Sequence, residues 1–208
     1  MSRSEVSGVA GSRRPVAAPG RRRGPELERA ILDAVLEQLG TDGWNALTME
    51  GVASGAQTGK AALYRRWPSK ADLVAEALRT RLPPLGRIPD LGSAREDLYA
   101  VCVRMRDVMR SRAGQALRTV LHECDHIHAE RFRDLVRAGL YEPAHGLIGE
   151  LVRRGIDRGD VRPDATGPLL VEVIPALMMY RAKVCGSEWA DAEIAEMIDG
   201  VMVPLLSA

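Results

Sequence analysis

The 208-residue chain is poor in aromatic side chains: one Phe, four Tyr and three Trp. Strands favour aromatic and β-branched residues, so this scarcity argues against a sheet-rich fold. Cysteine is sparse as well. Cys102, Cys124 and Cys185 are widely spaced and odd in number, with no CxxC pair. That excludes a zinc ribbon or dithiol motif, and free thiols fit a reducing cytoplasm, where the chain is expected to reside. No apolar run approaches the roughly 18 residues of a membrane helix, so no membrane partner is expected. The first residues are rich in Ser, Gly and Arg without an apolar stretch, which is no secretory signal. A nucleophile elbow, a phosphate-binding loop, a dinucleotide fingerprint and a pair of acids are all missing. No catalytic residue, no cofactor and no enzymatic activity are therefore expected.

What is present is a charge asymmetry. The net charge of +1 hides 13 Lys and Arg against 9 Asp and Glu in residues 1–82, a net of +4, and 16 against 19 in the remainder, a net of −3. A basic first part on a mildly acidic body suits a polyanion at one end only. Residues 1–24 read as a disordered basic arm, with Arg13, Arg14, Arg21, Arg22 and Arg23 and almost nothing to bury. Such a tail is either solvated or an arm that reaches the minor groove and flanking phosphates of DNA. Pro25 then opens a helix in which Leu27, Ile31, Ala34, Val35 and Leu39 recur at helical spacing, with Gly40 as its end. Trp44 follows in a loop over 41–46, where it closes a small core.

Residues 47–70 carry the clearest signal. Two short helices fit about 48–55 and 59–66, with a turn of about three residues between them. Thr48 caps the first, and Leu47, Val52, Ala53, Ala56, Leu63 and Trp67 supply an apolar seam. Pro68 stops the second helix. Ser69, with Asp72 three residues on, caps a third that runs to about Arg81. Helix, tight turn, helix and supporting helix is the layout of a helix-turn-helix DNA reader. Thr58, Gly59, Lys60 and Ala61 lead the second helix, followed by Tyr64, Arg65 and Arg66. Small and polar residues at that end let the backbone approach base edges, and cations around it hold phosphates. Thr48, Tyr64 and Lys70 are expected on phosphates, Thr58, Lys60 and Ala61 on bases.

On Thr48, Val52-Ala53, Ala56, Leu63-Tyr64, Trp67 and Pro68-Ser69-Lys70 the segment resembles the TetR family of transcriptional regulators, over about 45 residues. One position departs from the pattern. Gln57 stands where the family usually has Gly, in a turn that wants a positive φ. The resemblance implies a dimer, a repressor bound to a palindromic double-stranded DNA operator, and a small organic ligand held in the carboxy-terminal body.

The expected fold is all-α: a three-helix helix-turn-helix DNA-binding domain with its connecting helix over 25–82, then a larger helical ligand-binding and dimerisation domain over 83–208. The Pro- and Gly-rich stretch Leu82–Gly92 marks the boundary. Helices are expected at 93–111 and around 114–124. One long or broken helix over 127–156 should be kinked by Pro143, and a turn follows over 157–164. The stretch 166–184 is apolar on more than one side and should be buried on two. With 189–206 it suggests a four-helix homodimer bundle. Candidate pocket residues are Met105, Met109, His122, His126, Tyr141 and Met178, since Met adapts to many shapes. With few charges among them, they suit an apolar or amphipathic ligand. His122, Cys124, Asp125, His126 and His128 are the one cluster with metal-ligand chemistry. Cys124 sits two residues from both His122 and His126, the wrong side of a regular helix, so no metal is expected. The competing readings are a helical small-molecule-binding protein with a weakened DNA reader, and a metal-dependent enzyme using the histidine cluster.

Overall fold

The structure is a computed structural model that describes residues 24–124, 126–185 and 188–207; among these there is no strand. The basic arm, including Arg21, Arg22 and Arg23, lies outside the described residues, as do the side chains of His126 and Cys185.

The amino-terminal unit starts with α1 (Pro25–Thr41), which turns Ile31, Leu32, Val35, Leu36 and Leu39 inward. The helix runs through Gly40, the expected end, because a mid-helix Gly costs only about 1 kcal/mol and the Asp42 amide still reaches the Gln38 carbonyl at 2.8 Å. Gly43, at φ +81°, makes the break instead. It also starts α2 (Gly43–Ala46), a single helical turn where a loop was expected, with Trp44 buried in it. The next three helices are α3 (Met49–Gly55), α4 (Lys60–Tyr64) and α5 (Lys70–Arg81). The Thr48 hydroxyl accepts the Gly51 amide at 3.0 Å, and the Ser69 hydroxyl accepts the Asp72 amide at 3.1 Å.

The segment Leu82–Gly92 is irregular, yet it is strapped to the body. Leu85 and Ile88 are buried. Arg104 donates to the Leu85 carbonyl at 3.2 Å, and Arg154 to the Ile88 and Pro89 carbonyls at 3.3 and 3.1 Å. The body then comprises α6 (Ala94–Arg110), α7 (Arg112–Glu123), α8 (His126–Val136), α9 (Glu142–Arg158), α10 (Pro168–Tyr180), α11 (Asp191–Met197) and α12 (Val203–Leu206).

Helices α8 and α9 are the expected broken helix. A wide π-helical turn, Arg137–Tyr141, joins them, and Pro143 sits in the first turn of α9. Proline has no N–H to continue the α-helical ladder, and the wider turn shifts the register: the Glu142 amide reaches back five residues to the Arg137 carbonyl. α9 continues to Arg158, and Gly159 at φ +86° starts the turn two residues later than expected. π-helical turns also extend α10 (Arg181–Cys185) and join α11 to α12 (Ile198–Met202).

Two apolar cores result, and they do not part at residue 82. The first joins α1–α5 with Ala113, Ala116, Leu117 and Val120 of α7 and Phe132 of α8. The second joins Leu85 and Ile88 with the inward faces of α6, α9, α10, α11 and α12. Leu82 packs against both. Helix α7 is thus part of the first core and covalently part of the body. A shift of α7 relative to α6 must disturb α1 and α2.

The expectation that 166–184 is buried on both sides is not met within a single chain. Ile174 and Met178 face the core, but Leu169 is 72% exposed, Tyr180 59% and Val184 65%. With half-buried Val173 and exposed Ala176 they form one apolar row at helical spacing.

Candidate nucleic-acid interface

The site is built on the turn between α3 and α4. The Thr58 amide donates to the Ala53 carbonyl at 2.9 Å and the Gln57 amide to the Ser54 carbonyl at 3.0 Å. These are the two bonds of a Schellman cap, which needs one residue in the left-handed region. Gln57, at φ +54°, is the only non-glycine with positive φ among the described residues. A side chain there is strained by about 1–2 kcal/mol, part of which a glycine would give back as extra freedom of the unfolded chain. Gln57→Gly is therefore expected to stabilise the protein by about 0.5–1 kcal/mol in urea unfolding. A loss of stability would show that the Gln57 side chain makes a contact worth more than the strain.

The cap sets the angle at which α4 leaves the turn. Leu63 is fully buried and Trp67 nearly so, which pins the inner face of α4 against the first core. The outer face is open: Gly59, Lys60, Ala61, Tyr64 and Arg65 are exposed and Thr58 is half-buried. Around Gly59 a Cβ would meet nothing within 4 Å, so glycine there keeps the leading end of the helix low. Lys60 forms an ion pair with Glu50 of α3, and its ammonium lies 5.5 Å from the centre of the Tyr64 ring. The pairing holds the Glu50 carboxyl below the usual carboxylate range and the Lys60 ammonium above its own. Arg66 is tied to Glu28 at 2.7 Å.

The DNA contacts expected of Thr48, Thr58, Gly59, Lys60, Ala61, Tyr64 and Arg65 therefore fall on residues of one continuous stretch around the turn. Lys70 differs. Its ammonium donates to the Trp44 carbonyl at 2.8 Å and sits 4.3 Å from the centre of the Trp44 ring. In the DNA-free chain the Lys70 ammonium is therefore held on the Trp44 ring face and carbonyl. Trp44 also meets His128 and Phe132 of α8 edge-on, at 5.4 and 5.3 Å between centroids. The residue thus closes more than the small domain: it joins that domain to the body. Glu123 of α7 accepts the Asn45 amide at 3.3 Å, and Arg131 of α8 pairs with Asp72 at 2.6 Å. The Ser69 hydroxyl first, and Arg131 against the opposing effect of burial, hold the Asp72 carboxyl low.

Of the candidate pocket residues, Met105, Met109, His122, Tyr141 and Met178 are described, and within the single chain they lie on different elements. Met105 and Met178 are buried in the second core, with Met109 half-buried near the end of α6. Tyr141 lies beside His145, 5.4 Å between ring centres, and its hydroxyl is 3.8 Å from Met179 Sδ. His122 is exposed on α7, the helix that packs on α1 and α2. A cleft of about 140 Å³ between α6 and the end of α12 is lined by none of them. Among the described residues no group of three His, Cys, Asp or Glu is placed to hold a metal. Burial pushes the Cys102 thiol up to about 12, which keeps it protonated and inert.

Sequence comparison places this geometry in a family. Residues 31–77 match the bacterial regulatory proteins of the tetR family, and residues 88–201 match the tetracyclin repressor-like carboxy-terminal domain. The chain belongs to the TetR family. It is 30% identical to the DNA-binding transcriptional repressor TetR of Mycobacteroides abscessus, over 88% of this chain and 96% of that one. To the HTH-type transcriptional regulator AqdR of Rhodococcus erythropolis it is 27% identical, over 75% and 74% of the two chains. A crystal structure of a TetR-family transcription regulator covers 88% of this chain and 100% of its own, at 25% identity and a TM-score of 0.56. NalD of Pseudomonas aeruginosa shares the fold at a TM-score of 0.61 and 18% identity, over 88% and 98% of the chains. As a TetR-family member this protein is a DNA-binding transcriptional regulator, with an amino-terminal helix-turn-helix and a helical carboxy-terminal domain. Among the described residues no helix is long and apolar enough to cross a membrane.

Sequence reasoning missed three features of this family member: the Trp44 junction, the Glu50–Lys60 pair and the buried carboxylate of Asp97. Only the last left a trace. Asp97 falls within the apolar register of α6, between Ala94 and Val101, where a polar residue requires a buried partner.

Proposed function

We propose that the protein is a cytoplasmic, homodimeric repressor that leaves a palindromic operator when a small apolar or amphipathic organic ligand binds its body. The observation that carries the reading is the exposed leading end of α4, set by an intact helix cap and backed by a buried seam. An intact cap also speaks against a degenerate reader, the meaning Gln57 would otherwise carry. Each subunit inserts α4 in a major groove, with Thr58, Lys60 and Ala61 toward bases and Thr48, Tyr64 and Arg65 toward phosphates. The basic arm with Arg21, Arg22 and Arg23 adds phosphate contacts and steepens the salt dependence.

Dimerisation uses the apolar row of α10 together with the last helices, so that 166–184 and 189–206 of each subunit form the bundle. Exposed Val201 and Leu205 extend the apolar surface there. Ligand entry repacks Met105 and Met178, which adapt to shape at small cost. The movement reaches the reader through α7 and α8, which share the first core. It weakens operator binding only as far as the ligand prefers the moved state.

Lys60→Ala tests the assignment of the reader. Operator affinity is expected to fall about ten- to hundredfold, with relaxed preference at one position per half-site. An equal loss on operator and scrambled duplex would place Lys60 on a phosphate instead.

A further inference from the structure

Most acidic side chains described in the amino-terminal unit are tied to arginines. Glu28 holds Arg66, Asp33 holds Arg81, Asp72 holds Arg131, and Glu76 holds Arg79. Glu37 faces Arg112 of α7 at 3.5 Å. Glu50 is placed differently. It extends from the first turn of α3 to Lys60 in the first turn of α4, so both termini lie at the mouth of the interface. Its side chain keeps 61% of its surface exposed and that of Lys60 keeps 49%. The pair thus bridges the turn with about half or more of each side chain exposed.

A carboxylate at that point is a liability against a polyanion, because it cancels the Lys60 charge that would otherwise attract phosphates. Against a base edge it has one fitting partner. Aspartate and glutamate accept from the exocyclic amine N4 of cytosine, while lysine donates to O6 and N7 of guanine. A carboxylate oxygen has lone pairs to spare after one ammonium, and the ammonium has three protons. The pair can therefore stay joined and engage one base each.

We propose that Glu50 is a specificity-determining residue of the operator complex: with Lys60 it forms a two-residue reader in which the carboxylate selects cytosine and the ammonium selects guanine. The proposal rests on α4 entering the major groove as described above. Glu50 lies outside the second helix of the motif, so recognition extends onto the helix that otherwise only braces it. At any base edge that offers only acceptors the carboxylate lacks a donor, so it discriminates against wrong bases as well as for cytosine.

The test is selection of bound sequences from random duplex DNA by the full-length chain, for the wild type, Glu50→Ala and Glu50→Gln. The wild type is expected to return an inverted repeat with a cytosine preferred about tenfold at one position of each half-site. Glu50→Ala should lose that preference and bind non-cognate duplex more tightly. Glu50→Gln should move the preference to adenine, whose N6 and N7 suit an amide. A bracing role acting only through Lys60 would alter the guanine position that Lys60 reads, and cannot convert a cytosine preference into an adenine preference. The same motif from all three proteins, with only a uniform change of affinity, overturns the proposal while leaving groove docking intact. No inverted repeat from the wild type overturns groove docking and this proposal with it.

Discussion

Ala176→Arg is expected to turn the dimer into monomers at micromolar concentration and to lower operator affinity at least a hundredfold. Ala176 is exposed in the single chain, in a row with Leu169, Val173, Tyr180 and Val184. Ala176 is exposed on its own helix, so an arginine fits without disturbing the subunit core and helicity should hold. In the dimer proposed above it would place a guanidinium in an apolar seam, which is strongly unfavourable. Affinity falls because two half-sites are then read by separate molecules: the linked second binding event, worth two to four orders of magnitude, is lost. Light scattering and operator titration check both parts. A variant that stays dimeric with unchanged operator affinity would move the interface to another face of the body.

Asp97→Ala should destabilise the protein by about 3–5 kcal/mol in denaturant unfolding at neutral pH, as expected when one partner of a buried ion pair is removed. Asp97 is fully buried. One carboxylate oxygen accepts the Leu91 amide at 2.9 Å, and the other faces Arg154 at 2.9 Å and Arg158 at 3.1 Å. Those same arginines reach the Ile88 and Pro89 carbonyls and Asp90, so the carboxylate anchors the strap between the two units. Its loss leaves two cations and an amide without their buried acceptor. Asp97→Asn keeps an acceptor for Leu91 and should lose a smaller part. Because the strap sets where α5 meets the body, the Ala variant should also respond less to an inducing ligand. A loss below about 1 kcal/mol would mean that solvent or Asp90 and Asp160 replace the carboxylate.

The reader was legible in the sequence because its signals are local. Thr48 and Ser69 cap by their own chemistry, Pro68 ends a helix by its ring, and the seam of Val52, Ala53, Leu63 and Trp67 needs only helical period. Even the strain at Gln57 follows from the turn it occupies. The junction was not legible, because it depends on pairs far apart in sequence. Trp44 reads as core, but nothing local says that His128 and Phe132 cover its ring or that Lys70 turns onto its other contacts. Leu82–Gly92 has the composition of a loose boundary, yet Arg104 and Arg154 fix its carbonyls from 19 and 65–66 residues away. Methionine spacing shows that Met105 and Met178 face inward, whereas His122 follows a face of α7 that only the packing of α7 on α1 and α2 defines.

These features give the molecule a simple mechanical plan. The reader is held by its own core, and that core borrows α7 and Phe132 from the body. Leu82 packs against both cores, so with α7 and α8 it marks where the movement proposed above would pass from one core to the other.

The measurement that tests this account most directly is the recovery of bound sequences from random duplex DNA by the wild-type chain at physiological salt. The account predicts an inverted repeat whose two equivalent half-sites lie about one helical turn apart, or a multiple of it, bound by two subunits. Failure to recover any shared motif, with binding that vanishes as salt rises, would contradict it and leave only electrostatic attachment through the basic end of the chain.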